Sequence, residues 1–147
     1  MGDLRWVQMT DGEIDGFLGD GGTGVISFST EGDEPPFSIP VSYGYDEGTS
    51  HFYYELSMLP DSKKVEAIER PVSFVVHGDT ETGWKSVVAT GELERVTDFP
   101  YESTAVQGMW AVDIPRVDIF DRPPEDVTFR TFRLVPASVT GRKEIGP

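Results

Sequence analysis

The sequence contains no cysteine in its 147 residues. Disulfide bonds, thiol nucleophiles and thiolate metal sites are therefore excluded together. Histidine is almost as scarce, since only His51 and His77 could act as imidazole ligands or bases. Neither has a carboxylate beside it at metal-ligand spacing, so we expect structural or surface roles for both and no metal site.

Long apolar runs are also missing. No stretch approaches the roughly 18 apolar residues that would span a bilayer, and the first residues lack a basic region followed by an apolar one. We therefore expect a cytoplasmic protein with no membrane partner.

Positive charge is scarce, because 12 Lys and Arg stand against 26 Asp and Glu and leave a formal net charge of −14. Such a chain would repel a phosphate backbone, so nucleic acid is not expected as a partner. The acidic residues are spread along the whole chain. We favour a halophilic source, in which strong screening removes the self-repulsion, over an ordinary acidic cytosolic protein.

Apolar residues make up 37% of the chain, with 9 Phe, 5 Tyr and 3 Trp. This is enough to fold one core, and the length fits a single domain over 1–147. Thr10 and Glu13 have capping-box spacing and predict a short helix that ends near Gly19. After this helix, apolar residues occur at every second position, which is typical of strands. The predicted strands are 25–28, 37–45, 51–56, 72–76, 84–96 and 128–134.

Connections and further helices complete the prediction. The spacing predicts helices over 62–70 and 101–112, a hairpin loop over 31–36, a turn over 78–83 and a loop over 114–126. Six strands with a few short helices favour a mainly β protein, an antiparallel barrel with helices packed outside it. A doubly wound parallel sheet is the weaker choice, because regular strand–helix alternation is missing.

The glycine-rich segment 19–24 has the spacing of a dinucleotide-binding fingerprint, but its context is wrong. Such a loop leaves a strand and opens a helix, whereas this one leaves a helix and enters a strand. We interpret it as a plain connection. No nucleophile elbow is present either, and the many acidic residues make accidental catalytic combinations uninformative.

Two adjacent lysines, Lys63 and Lys64, follow Ser62 at the start of a predicted helix, in a chain that has only two other lysines. Backbone N–H groups, the helix dipole and two ammonium groups would together favour a phosphate. The alternative is an exposed helix start, with the lysines paired to Glu66 or Glu69.

Several segments together resemble the pyridoxamine 5′-phosphate oxidase-like flavin-binding split-barrel family. They are Phe37–Asp46, Phe52–Tyr54, Ser62–Lys64, Trp84–Gly91, Phe132–Pro136 and Thr140–Lys143. The similarity runs from about Met9 to Lys143, and with the acidity it suggests a haloarchaeal member. It implies a six-stranded antiparallel split β-barrel that forms a homodimer, with FMN in a groove between the subunits.

The resemblance also implies a set of cofactor-binding residues. Pro40, Val41, Ser42 and Tyr43 would lie along the isoalloxazine with their backbone groups towards its polar edge. Ser62, Lys63 and Lys64 would hold the 5′-phosphate. Trp84, Lys85, Ser86 and Val87, on the neighbouring strand, would complete the pocket. Pro40 has no N–H, which would interrupt the ladder where a ligand approaches.

The chain also departs from the family. Pyridoxamine phosphate oxidases are longer and bind the substrate phosphate with additional arginines, and such a set cannot be placed in this sequence. Tyr54–Ser57 stands where many small relatives have a histidine. No catalytic side chain is assigned, and vitamin B6 oxidation is not expected. The leading hypothesis is an FMN-dependent oxidoreductase acting on an unidentified small molecule. The alternatives are a non-catalytic carrier of flavin, deazaflavin or haem, and a structural dimer with an empty groove.

Overall fold

A computed structural model describes residues 5–30, 32–57, 69–96 and 129–145. Within these ranges the chain forms seven strands and one helix. In chain order they are β1 (Arg5–Gln8), α1 (Asp11–Leu18), β2 (Gly21–Phe28), β3 (Phe37–Asp46), β4 (His51–Ser57), β5 (Val72–Thr80), β6 (Gly83–Arg95) and β7 (Phe129–Ile145).

Six of the strands close into an antiparallel barrel. The order around it is β7, β4, β3, β2, β5 and β6, and β6 pairs with β7 to complete the circle. The short strand β1 lies outside the circle and pairs with the last residues of β7. The predicted mainly β, six-stranded antiparallel split barrel is therefore confirmed.

The barrel is split between β3 and β4. These strands pair only near their shared turn, from Gly44 opposite Tyr53 to Asp46 opposite His51. On its other edge β4 pairs with β7 from Phe52 to Ser57. Among the described residues, the part of β3 before Gly44 therefore has a partner on one side only, which is β2.

Aromatic rings fill the barrel interior. Phe74 packs edge-on against Tyr43, Phe52 and Tyr54, with ring centroids 5.3, 5.5 and 5.0 Å away. Tyr43 also donates a hydrogen bond from its hydroxyl to the Leu18 carbonyl, at 3.0 Å. Such T-shaped packing suits the ring quadrupoles, and the hydroxyl bond satisfies the one polar atom that Tyr43 buries.

Helix α1 covers one end of the barrel and begins as predicted. The Thr10 hydroxyl accepts a hydrogen bond from the Glu13 N–H, and the Glu13 carboxylate accepts one from the Thr10 N–H. Glu13 also forms an ion pair with Lys143 of β7. The capping box therefore starts the helix, and the ion pair ties it to the barrel.

Several predicted boundaries are corrected. The predicted turn over 78–83 is shorter, because the β5–β6 ladder continues to Thr80 opposite Gly83. Strand β2 begins at Gly21 rather than Val25, and β7 extends to Ile145. Strand β1 was not predicted. Glu69 and Arg70 lie in a turn, whereas the rest of the helix predicted over 62–70, the helix 101–112 and the loop 114–126 lie outside the described residues. No described helix is long and apolar enough to cross a membrane.

Candidate functional site

The free edge of β3 is the first component of the site. The Tyr45 N–H donates to the Asp20 carbonyl at 3.1 Å, on the β2 side. The backbone N–H and C=O groups of successive residues point to opposite edges of a strand. The backbone groups of Tyr43 and Val41 therefore also point to β2. The backbone groups of Ser42 and Pro40 point to the free edge. Pro40 therefore lacks its N–H at an edge without a described partner, which is where proline is tolerated.

Side chains along β3 alternate between the barrel interior and its outer face. Val41 and Tyr43 are 7% and 2% exposed and belong to the hydrophobic core. Their side chains and backbone polar groups are therefore engaged by the fold itself. Pro40 is exposed and Ser42 is buried, and both lie on the outer face. Of the four residues predicted here, Pro40 and Ser42 are therefore the two that are not already engaged by β2 or the core.

The same alternation divides the predicted residues of β6. Trp84 is 43% exposed, and Ser86 is half-buried on the same outer face. Val87 is 1% exposed and belongs to the core. Lys85, two positions earlier, lies on the same side of the strand as Val87. The His77 ring of β5 stacks on Trp84, with centroids 6.2 Å apart. Trp84 and Ser86 are therefore the β6 residues that a ligand could contact.

These two components do not meet within one chain. In the barrel order, β3 and β6 are separated by β2 and β5 on one side and by β4 and β7 on the other. The expectation that Trp84–Val87 lie on the strand next to Pro40–Tyr43 is therefore wrong. The two sets of outward residues lie on opposite walls, and a single ligand could contact both only if two copies of the chain faced each other.

Ser62, Lys63 and Lys64 lie outside the described residues. Their assignment to a phosphate therefore stays a prediction.

A polar row on the outer face of β4 and β7 was missed by the sequence interpretation. Tyr53 lies opposite Arg133, which lies opposite Glu94 of β6. Arg133 is 9% exposed and forms an ion pair with Glu94. Burial raises the pKa of the fully buried Tyr53, although the Arg133 charge opposes that rise. The alternation of residues along β4 could have placed His51, Tyr53 and Glu55 on one face from the sequence. The positions of Arg133 and Glu94 beside them depend on the strand pairing, which the sequence does not show.

A cavity of about 330 Å³ lies between the end of α1 and the β3–β4 turn. It is lined by Asp15, Gly16, Gly19, Asp20, Tyr45, Asp46 and Glu47. The Tyr45 hydroxyl donates to Asp15 at 2.5 Å, and burial together with that carboxylate raises the pKa of Tyr45 to about 12. Four carboxylates make this cavity unsuitable for a phosphate-bearing cofactor. In the described ranges, no three His, Asp or Glu side chains are placed so that they could hold a metal ion together, these four carboxylates included.

Comparison with known proteins identifies the class to which this split barrel belongs. Residues 10–143 match the family described as pyridoxamine 5′-phosphate oxidase. The chain therefore belongs to this family. A search of curated protein sequences gave no match.

Solved structures share the fold at low sequence identity. The FAD binding protein from Mycobacterium smegmatis is 15% identical with a TM-score of 0.66, over 95% of this chain and 99% of that one. A FAD-binding protein from Mesorhizobium loti is 21% identical with a TM-score of 0.64, over 97% and 98%. A heme binding protein from Mycobacterium smegmatis is 14% identical with a TM-score of 0.54, over 84% and 52%.

Proposed function

We propose that the protein binds FMN in a groove shared by two copies of the chain and acts as an oxidoreductase on a small molecule. The observation that carries this proposal is the placement of Pro40 and Ser42 on the wall opposite Trp84 and Ser86. A twofold axis would bring the β3 edge of one copy against β6 of the other and create two equivalent grooves.

The chemistry of the outward residues fits a flavin. The free edge of β3 presents the Pro40 carbonyl and the Ser42 N–H and carbonyl, which match the mixed acceptors and donor of an isoalloxazine edge. Trp84 presents an exposed ring face on which a flat, electron-poor ring stacks well. Ser62, Lys63 and Lys64 are proposed to hold the phosphate.

Bound flavin would supply hydride and electron transfer chemistry, so the protein needs no catalytic triad. The protein residues would bind and orient the ring. Ser42 would hydrogen-bond its polar edge, and Trp84 and Pro40 would cover parts of its surface and exclude water. Two of the similar structures are named as FAD binding. We propose FMN rather than FAD because the adjacent lysines suit a single terminal phosphate.

Haem is the second candidate, because one similar structure is named as a heme binding protein. A neutral imidazole is one of the side chains that would hold haem iron. His51 is half-buried, and burial lowers its pKa, with the Arg133 charge acting in the same direction. This favours the neutral form, so His51 is the residue to replace if haem is found.

The test is an absorption spectrum of the protein purified in molar KCl, followed by mass spectrometry of the small molecule released on denaturation. FMN binding predicts flavin bands and a released mass equal to that of FMN. Reduction of the bound flavin by a nicotinamide donor separates an oxidoreductase from a carrier. A Soret band would favour haem, and a colourless protein that takes up no added flavin would overturn the proposal.

A further inference from the structure

The outward residues in the middle of β2 and β5 include no Asp, Glu, Lys or Arg. These residues, the β2–β5 surface, are Thr23, Val25, Ser27, Ser73, Val75 and His77. Val25 and Val75 are half-buried, whereas Ile26 and Phe74, on the opposite face of their strands, are buried in the core. Such a surface is an exception in a chain that has 26 acidic residues.

Two rows of paired residues cross this surface from β3 to β6. The first row is apolar and consists of Pro40, Val25, Val75 and Val88. The second row carries hydroxyl groups and consists of Ser38, Ser27, Ser73 and Thr90. Residues that pair directly across neighbouring strands share a face. Uncharged side chains therefore connect the two strands that carry the halves of the proposed flavin groove.

The surface is open in the single chain and can be covered at low cost. Thr23 and His77 are exposed, and Val88 is 37% exposed. The Ser27 and Ser38 hydroxyls are hydrogen-bonded to each other at 2.8 Å. Polar groups that already have a partner lose little when water is removed from them, and apolar side chains gain from it.

The position of the surface in the barrel fits contact with a second copy of the chain. In the strand order, β2 and β5 lie between β3 and β6. A twofold axis parallel to the strands, between β2 and β5, would place β2 of one copy against β5 of the other. The same axis would place β3 of one copy beside β6 of the other on both sides of the contact. Contact through this surface would therefore form both grooves of the proposed function.

The charge of the chain opposes this contact at low salt. Each copy carries a formal net charge of −14. Because β2 and β5 are antiparallel, the exposed Asp33 after β2 and the exposed Glu81 after β5 lie at opposite ends of the surface. The twofold axis would bring each end of one copy to the same end of the other, so that carboxylates approach carboxylates. The screening length falls from about 10 Å in 0.1 M salt to about 3 Å in 1 M salt, which weakens this repulsion.

We propose that the β2–β5 surface is the contact between two copies, and that ionic strength regulates the flavin site through this contact. At low salt the copies separate, and each keeps half of a groove. At molar salt they associate, and the grooves are complete. The inference rests on the proposed function, because it requires a groove that two copies share.

The test follows dimerisation by analytical ultracentrifugation and FMN binding by flavin fluorescence across a series of KCl concentrations. Circular dichroism checks the fold at each concentration, and the series starts at the lowest one at which the chain is folded. We expect the Kd of the dimer to fall about tenfold or more for a tenfold rise in KCl. The apparent Kd for FMN should fall with it. At constant salt, dilution below the Kd of the dimer should release FMN.

A substitution at the centre of the surface tests the contact itself. Val75→Lys would bury an unpaired charge between the copies and should raise the Kd of the dimer about tenfold or more in molar KCl. If this variant does not fold, Ser73→Lys takes its place. Val135→Lys is the matched control, because it changes the net charge equally but lies on β7, opposite Glu92. It should form dimers at least as tightly as the wild type.

A dimer Kd that does not change with salt, or that Val75→Lys leaves unchanged, would overturn the inference. The two proposals fail separately. A salt-dependent dimer that Val75→Lys disrupts but that takes up no flavin would remove the proposed function and leave the contact surface. Equal FMN affinity in Val75→Lys and the wild type would leave flavin binding and remove the contact surface.

Discussion

His51 and Tyr53 lie on the outer face of β4, and neither is free in solvent. Tyr53 is fully buried and His51 is half-buried. Arg133 is nearly buried beside them and is compensated by Glu94. A buried charge is costly without a partner, so the loss of Glu94 would destabilise the fold around Arg133. Tyr53, Arg133 and Glu94 therefore form a fixed polar layer on this wall of the barrel, with the half-buried His51 at its edge.

The pKa of His51 predicts a pH dependence of stability. Burial lowers it below the ordinary value of 6.5, Arg133 acts in the same direction, and Asp46 and Glu94 oppose the shift. The unfolded chain therefore binds more protons, and stability falls as the pH drops below 6.5 towards the folded-state value. Thermal unfolding of the wild type and His51→Gln, measured from about pH 7.5 to 5, checks this.

We expect His51→Gln to have a shallower decline in this range, because the substituted side chain does not titrate. His77→Gln, which replaces the exposed histidine, serves as the control for the substitution itself. Identical slopes in the wild type and His51→Gln would contradict the prediction.

Lys63 and Lys64 predict a specific loss of FMN affinity. Replacing both by alanine should weaken FMN binding by about 2 kcal/mol or more, because the proposed charge-assisted hydrogen bonds to the phosphate are lost. This corresponds to about a thirtyfold rise in Kd. Riboflavin, which lacks the phosphate, is the matched ligand control, and its Kd should not change. Equal FMN affinity in the wild type and the double variant would remove the lysines from the site.

At the scale of elements, the strands were predictable because alternation of apolar residues is a local signal. Phe37, Ile39, Val41, Tyr43 and Tyr45 alternate in the sequence, and β3 spans all of them. The same alternation implies that Val41 and Tyr43 face the core. The assignment of all of 40–43 to the ligand came from the resemblance, which does not distinguish inward from outward residues.

Strand neighbours could not be read from the sequence, because pairing depends on contacts between distant segments. This is why β6 was wrongly placed beside β3. Strand β1 was missed because four residues are too few to show a period. The turn over 78–83 was overestimated because Gly78 and Asp79 disfavour strands, yet their ladder to Trp84 and Lys85 keeps them extended.

The contact of α1 with β7 predicts a sensitive glycine. A Cβ on Gly141 would lie 2.7 Å from Ile14 and 3.1 Å from Met9, so helix or strand must shift. We expect Gly141→Ala to lower the free energy of unfolding by about 1–3 kcal/mol, because the contact is already close-packed. Denaturant unfolding monitored by circular dichroism measures the change.

Gly16→Ala is the matched control for this substitution. Gly16 lies within α1, and a Cβ there meets nothing within 4 Å. Its replacement should raise the stability by about 0.5–1 kcal/mol, because alanine loses less backbone entropy in a helix. A neutral effect of Gly141→Ala would mean that α1 does not rest on β7 at this point.

At the scale of the whole molecule, the net charge of −14 predicts dependence on salt. Repulsion among the surface carboxylates is strong at low ionic strength and is screened at high ionic strength. The unfolding temperature should therefore be about 5 °C or more higher in molar KCl than at low salt. Equal unfolding temperatures at low and molar salt would argue against a halophilic source.

A variant with fewer exposed acids provides the control for salt dependence. It combines Asp33→Asn, Glu47→Gln, Glu81→Gln and Glu92→Gln, all at exposed positions. This variant has less repulsion between surface carboxylates for salt to screen. Its unfolding temperature should therefore rise less with KCl than that of the wild type. An unchanged salt response would assign the effect to something other than surface charge.

A mixture of two defective variants shows whether one cofactor groove takes β3 from one copy and β6 from the other. Pro40→Glu damages the β3 half and Trp84→Glu damages the β6 half, so each homodimer should bind no FMN. After exchange of subunits, confirmed by native mass spectrometry, each mixed dimer has one intact groove. A shared groove predicts that FMN binding returns to about a quarter of all sites. No recovery in confirmed mixed dimers would contradict it.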